Sequence, residues 1–324
     1  MARFRSVYAL PLALALCAQT PRPGVKTPGV RIPMGNLKAD ATFEVPGAPD
    51  WMAIDESVWV SNSPKGTVTR IDPKTNKVLD VIPTGKEPCS GLATGFGSLW
   101  VPNCGDQSLV RIDLKAAKLT ATIPTPIADS EGGIACGAGS VWMMVDARGT
   151  LARFDPDTNK VVAHIALPPG SYVPVFGENA VWVSSTEKDL VSRVDPRTNL
   201  VTETIKPGSK PRFLTVGEGA VWVLNQGDGS VTRIDPATNK VVATIELGIP
   251  GTGGDISAGE GSVWATAFQF PLTRIDPARN RVSQQFAGAG GDSVRAGLGS
   301  VWLTDLKQGR VMRLDPRRIQ ATLP

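Results

Sequence analysis

Hydrophobic positions fall in short runs of three to six residues along most of the chain, separated by Gly-, Pro- and Asn-rich clusters. The stretch from Gly219 to Gly248, GAVWVLNQGDGSVTRIDPATNKVVATIELG, shows the grammar. AVWVL is unbroken, as in a strand covered on both faces. SVTRID and KVVATIEL mix β-branched and polar residues in strand-like runs bounded by turn clusters. No segment carries the i, i+3, i+4 spacing of an amphipathic helix. The DPATN cluster puts Pro at a turn corner and Asn where positive φ is expected.

This unit recurs seven times. The Trp of each SVWV-like run stands at 59, 100, 142, 182, 222, 264 and 302, so the intervals are 41, 42, 40, 40, 42 and 38 residues. Strand chemistry at a period near 40, with four strands per period, predicts an all-β seven-bladed β-propeller of four-stranded antiparallel blades. Seven units fill 39–324. The segment ADATFEV matches a fourth strand, and the last unit lacks the TN turn, so the N-terminal strand is expected to close the ring, with the C-terminal tail as the competing candidate for that place. An Arg-x-Asp pair recurs in every third strand, from Arg70/Asp72 to Arg313/Asp315. Seven copies of one pair point to scaffold, expected as inter-blade salt bridges and turn supports. The GSVWV and GTVTRIDPxTNKVVATI repeats resemble those of the bacterial YVTN/YncE-like seven-bladed propellers, related to the streptogramin-lyase-like (virginiamycin B lyase-like) propellers. The resemblance covers about 285 residues and implies the fold; such propellers both bind and catalyse.

Ahead of the repeats, residues 1–18 read as a secretory signal: Arg3 and Arg5, an apolar run from Val7 to Leu16, then small residues. LALC resembles a bacterial lipobox and makes Cys17 a candidate lipid attachment site. Residues 19–38 read as a Pro/Gly-rich linker. Export to the periplasm or the extracellular space follows, with or without a lipid anchor. No other segment is apolar for the ~18 residues a membrane helix needs. Net charge is +4, yet six basic residues and no acid precede Asp40. The remainder holds 28 basic and 30 acidic residues, which gives no basic footprint for nucleic acid. A monomer is expected.

If the consensus builds the scaffold, function sits where single copies depart from it. In a four-stranded blade the D–A and B–C loops share one face, where propeller ligands are expected. The lead-ins to the first strands read APDWMA, PCSGLA, SEGGIA, GSYVPV, KPRFLT, TGGDIS and GGDSVR. Their unusual residues are Asp50, Trp51, Glu131, Tyr172, Arg212, Phe213, Asp255, Asp292 and Arg295. Arg295 stands where the other blades carry Ala, Val, Thr or Ser, and suggests an anionic or polyhydroxylated ligand. The B–C loops add Asn62, Asn103, Asp146, Asn225, Gln226, Phe268 and Asp305.

Binding of a small molecule, glycan, peptide or protein partner at this channel mouth is the favoured reading. The first alternative is a metal-dependent lyase or lactonase-type hydrolase, with Glu131, Asp255 and Asp292 as candidate ligands for Mg²⁺ or Ca²⁺. A structural cell-envelope interaction protein is the second. Binding is favoured because GxSxG, HExxH and CxxC are absent and the only histidine, His164, falls in an outer strand. Streptogramin lyases use a histidine base, so the resemblance does not carry that chemistry over. Cys89 and Cys104 lie symmetrically about the turn at Phe96–Gly97 and are expected to pair. Cys136 is expected as a buried thiol.

Overall fold

The computed structural model describes residues 24–128, 131–251 and 253–321. The signal-peptide and Cys17 readings lie outside them. Seven sheets form a ring, numbered here as blades one to seven. Blade five has antiparallel strands Pro211–Gly217, Ala220–Asn225, Ser230–Asp235 and Lys240–Glu246 in sequential order, A to D from the axis outward. Blade seven takes three strands from the C-terminal end and its outer strand, Ala41–Glu44, from the N-terminal side, with Phe43 opposite Val311. The ring closes as the repeat boundaries predict.

One device, repeated, explains the consensus. Each strand-B Trp pairs across the ladder with the strand-C Arg, as Trp222 does with Arg233. All seven guanidinium carbons lie 5.0–5.5 Å from the Trp ring centroid. In five blades (Arg111, Arg153, Arg233, Arg274 and Arg313) the Arg then reaches the next blade, whereas Arg70 pairs with Asp80 of its own blade at 3.6 Å. Arg153 Nη1 donates to Pro196 O (2.8 Å) and Asn199 Oδ1 (3.0 Å), and Arg233 Nη1 to Pro277 O (2.8 Å) and Asn280 Oδ1 (3.0 Å). Arg313 closes the ring on Pro73 and Asn76. The expected inter-blade salt bridges are therefore charge-assisted hydrogen bonds to turn oxygens. The Asp partner serves its own turn instead: Asp235 Oδ1 accepts from Ala237 N at 2.9 Å. Asn76, Asn159, Asn199, Asn239 and Asn280 all have φ between 50° and 59°, the left-handed conformation expected for this Asn.

The segment read as a linker departs from expectation. From Gly24 onward it lies on the propeller. Arg31–Pro33 adds a fifth, parallel strand to the outer edge of blade six, pairing with Gln285–Ala287. Ile32 packs with Trp264, Leu272 and Phe286. Gln285 Oε1 accepts from Val25 N at 2.8 Å. Blade six carries RVSQQFA in strand D where blade five carries KVVATIE; Gln285 and Phe286 supply the hydrogen bond and apolar contact that hold this segment, while Gln284 Nε2 donates to Ile319 O of the C-terminal helix. After blade seven the chain turns into a short helix, Pro316–Ala321, tied back by an Arg318–Asp40 ion pair of 2.7 Å.

Cys89 and Cys104 form a disulfide with a Cα–Cα distance of 5.8 Å. Strand A of blade two is regular only over Ala93–Gly95, and the bridge reinforces a lead-in held by the isolated Pro88–Asn103 pairing and by Cys104 N donating to Glu87 O at 2.9 Å. Cys136 is a free thiol, pushed up to about 12 by burial.

Candidate ligand-binding site

The strand-A lead-ins converge on the axis. Their third positions hold Asp50, Ser90, Gly132, Tyr172, Arg212, Gly254 and Asp292, one per blade. Two arginine-centred networks form there. In the first, Arg212 of blade five donates from Nη2 to Glu131 Oε2 of blade three at 2.7 Å and to the Tyr172 hydroxyl of blade four. Its guanidinium stacks on the Tyr172 ring at 4.2 Å and lies 5.4 Å from the Phe213 centroid. Glu131 is held from behind, because its backbone N–H donates to Cys89 O at 2.6 Å. The disulfide thus supports the loop that carries this carboxylate.

In the second network Arg295 of blade seven joins its neighbours on both sides. Nε donates to Met52 O at 3.0 Å and Nη1 to Asp255 Oδ2. Asp255, with its side chain only 4% exposed, also accepts from Ser293 Oγ (2.6 Å), Val294 N (3.1 Å) and Ile256 N (2.8 Å). This guanidinium is committed to the protein. It is a poor receptor for the anionic ligand expected of an isolated Arg.

Asp50 and Asp292 have no ion-pair partner among the described residues. Burial, then the neighbouring Asp255 and Glu131 charges, pushes Asp292 up to about 6. Asp50 is raised well above the usual carboxylate range, by burial first and then by Asp292, Glu131 and Asp255, with Arg295 opposing. Four carboxyl groups thus face two arginines. Beneath them Trp51 and Phe213, from opposite sides of the ring, meet with centroids 5.5 Å apart. They share a buried cluster with Leu92 and Val173 and plug the channel. The indole N–H of Trp51 and the Nε–H of Arg212 are buried donors with no hydrogen-bond partner among the described residues.

The predicted B–C loop residues mostly hold the frame. Asn225 is buried, donating to Ser230 Oγ (3.0 Å) and Thr232 Oγ1 (2.9 Å). Asn62 and Asn103 tie the lead-in loops through Pro46 O and Thr84 O. Gln226 donates to Gly253 O. Asp146 caps its own hairpin through Thr150. Asp305 is buried against Arg310 at 3.3 Å. Phe268, 47% exposed, covers Gly253. Glu131, Asp255 and Asp292 do not gather as a metal cage: no group of three His, Cys, Asp or Glu able to hold a metal occurs among the described residues. Two of the three carboxylates are already bonded to arginine.

A cavity of about 200 Å³ lies to one side of the axis, lined by the lead-ins of blades two to five (Ser90, Gly132, Tyr172, Arg212) and by further residues of blades three and four. Met143, Met144, Ile127, Tyr172 and Arg212 are among its lining residues. The sequence reading missed the methionines. A signal was present: VWMMV in blade three stands where other blades have VWVS, LWVP, VWVL, VWAT or VWLT.

No family model matches the chain, and no curated protein matches it. Solved structures do. A streptogramin B lyase superposes with TM-score 0.72 at 20% identity, over 84% of this chain and 96% of that one. A catalytically inactive histidine-to-alanine virginiamycin B lyase from Staphylococcus aureus, with quinupristin, gives 0.73 at 17% identity, over 85% and 98%. The Pan2 WD40 domain of Neurospora crassa gives 0.68 at 11%, over 86% and 95%. At these identities the likeness establishes the seven-bladed propeller. Among the described residues no helix is long and apolar enough to cross a membrane.

Proposed function

We propose that the chain is an exported, monomeric binding protein that takes a small ligand on the D–A/B–C face, without chemistry of its own. One observation carries this reading. The residues that break the sevenfold consensus are drawn from blades one and three to seven into two neighbouring, electrostatically linked networks of Asp50, Glu131, Tyr172, Arg212, Asp255, Asp292 and Arg295. A scaffold needs no such asymmetry, and it leaves two desolvated carboxyl groups at a cost. Export rests on the Arg-led apolar opening of the sequence and on the disulfide. A lyase reading through histidine is not adopted. His164, the only one in the chain, is exposed on the outer strand of blade three.

A thermal-shift screen of small neutral, cationic and anionic compounds and of divalent cations tests the proposal, since a ligand of the native state raises the melting temperature with its concentration. A hit should lose its effect in Arg212→Ala and Glu131→Gln. A hit that stabilises both variants as well as the wild type would place binding elsewhere.

A further inference from the structure

The off-axis cavity has a character of its own. Ile127, Ala128 and the strand positions Met143 and Met144 line it; the two methionines leave the strand on opposite faces, Met144 in the cluster shared with blade four and Met143 in the one shared with blade two. Tyr172 and Arg212, stacked at 4.2 Å, connect it to the axial network. We infer that this cavity is a subsite for the apolar end of a small amphipathic ligand, neutral or cationic, whose carbonyl or hydroxyl oxygen meets Arg212. The inference rests on the binding reading above and specifies the ligand.

Three observations define that chemistry. An apolar cavity of ~150 Å³ accommodates a benzene ring, and this one is about 200 Å³. Arg212 spends Nη2 on Glu131 and Tyr172, while its buried Nε–H has no partner among the described residues. The Arg212 side chain nevertheless keeps 23% of its surface exposed and lines the cavity, so an acceptor atom entering beside Tyr172 meets the guanidinium there. The surroundings are acidic: Glu187 on the cavity lining joins Glu131, Asp255 and Asp292, against Arg212 and Arg295. A net negative mouth draws cations and repels anions. The Met143–Met144 departure from the repeat lies in the strand that lines the cavity.

The test is ¹³C-methyl methionine NMR on the disulfide-bonded protein. The probes are 3-phenylpropanamide (neutral), phenylalaninamide (cationic) and 3-phenylpropanoate (anionic). Each is titrated to ~10 mM, tenfold above the ~1 mM dissociation constant of a weak fragment. The amide and the cation should shift at least one of the Met143 and Met144 methyls, with the anion at least tenfold weaker. Ala147→Trp, at an exposed position on the cavity rim, should abolish those shifts and leave the melting temperature unchanged. Shifts confined to Met52, whose carbonyl Arg295 holds, would put the ligand on the axis; the subsite would fall while the binding face survived. Tightest binding by the anion would overturn the charge assignment. Silence at Met143 and Met144 with all three probes would overturn the subsite.

Discussion

Replacing Asp292 by Asn should stabilise the protein at neutral pH and do nothing in acid. The side chain is a desolvated carboxyl with no ion pair among the described residues, and its folded value is about 6 against an ordinary 3.8. Here the folded state binds the proton more tightly than the unfolded chain does. Below about pH 4 both states are protonated and the group costs nothing. As pH rises from about 4 to 6 the unfolded chain ionises first, so stability falls; above 6 the full cost is present. A shift of about two units corresponds to on the order of 2–3 kcal/mol. Asn keeps the shape, and the local ties run through the backbone, as in Asp292 N to Thr304 O at 2.9 Å. Urea denaturation followed by tryptophan fluorescence, for wild type and variant at pH 3 and pH 8, measures the difference directly. The variant should gain that amount at pH 8 and match the wild type at pH 3. An equal difference at both pH values, or a loss at pH 8, would refute the idea that an uncompensated carboxyl sits at this mouth.

Arg233→Ala should lower stability by about 2–4 kcal/mol, through two lost charge-assisted bonds to Pro277 and Asn280 and the Trp222 stack. Ligand binding should persist, as calorimetric melting with and without a screening hit would show. Cys89→Ala/Cys104→Ala should cost about 3 kcal/mol by the chain-entropy account of a ~15-residue loop, and should weaken binding because Glu131 hangs from Cys89 O; peptide mapping without reductant checks the pairing. Ile32→Ala should cost about 2 kcal/mol although it lies before the first repeat, which a denaturation curve reads; no effect would mean that the added strand on blade six is idle. Arg295→Ala should destabilise by about 3–5 kcal/mol, because it strips the counter-charge from buried Asp255. Adding Asp255→Asn should recover much of the loss.

The frame was legible because it is written seven times. Trp, Arg, the turn Asp and the turn Asn recur at fixed offsets, and each offset corresponds to one contact: ladder pair, inter-blade bond, turn cap, left-handed corner. What the sequence concealed is how unlike residues combine. Arg295 was rightly singled out as odd, but its partners come from blades six and one, so its saturation was not visible from blade seven alone. Asn62, Asn103 and Asn225 looked like variable loop polarity and are frame ties at the end of strand B. Pro and Gly in residues 19–38 suggested a tether; the pairing of Arg31–Pro33 depended on Gln285 and Phe286, which lie more than two hundred residues away.

The same logic places the ligand site. A sevenfold ring with small residues at every lead-in would leave a channel along the axis. Here Trp51 and Phe213 close it, and both are buried, at 5% and 3% exposure. Bulk placed on blades one and five must be accommodated by the others, and Gly91 and Gly133 stand at the matching positions of blades two and three. A Cβ on Gly133 would come within 2.6 Å of Val173, so the glycine is needed for the lead-ins of blades three and four to pack closely. Open space survives to one side, against Met143, Met144 and Tyr172. The aromatic plug and the off-axis cavity are thus two consequences of one departure from symmetry. A substitution that shrinks the plug, such as Phe213→Ala, should shift the preferred ligand position toward the axis as well as destabilise the core.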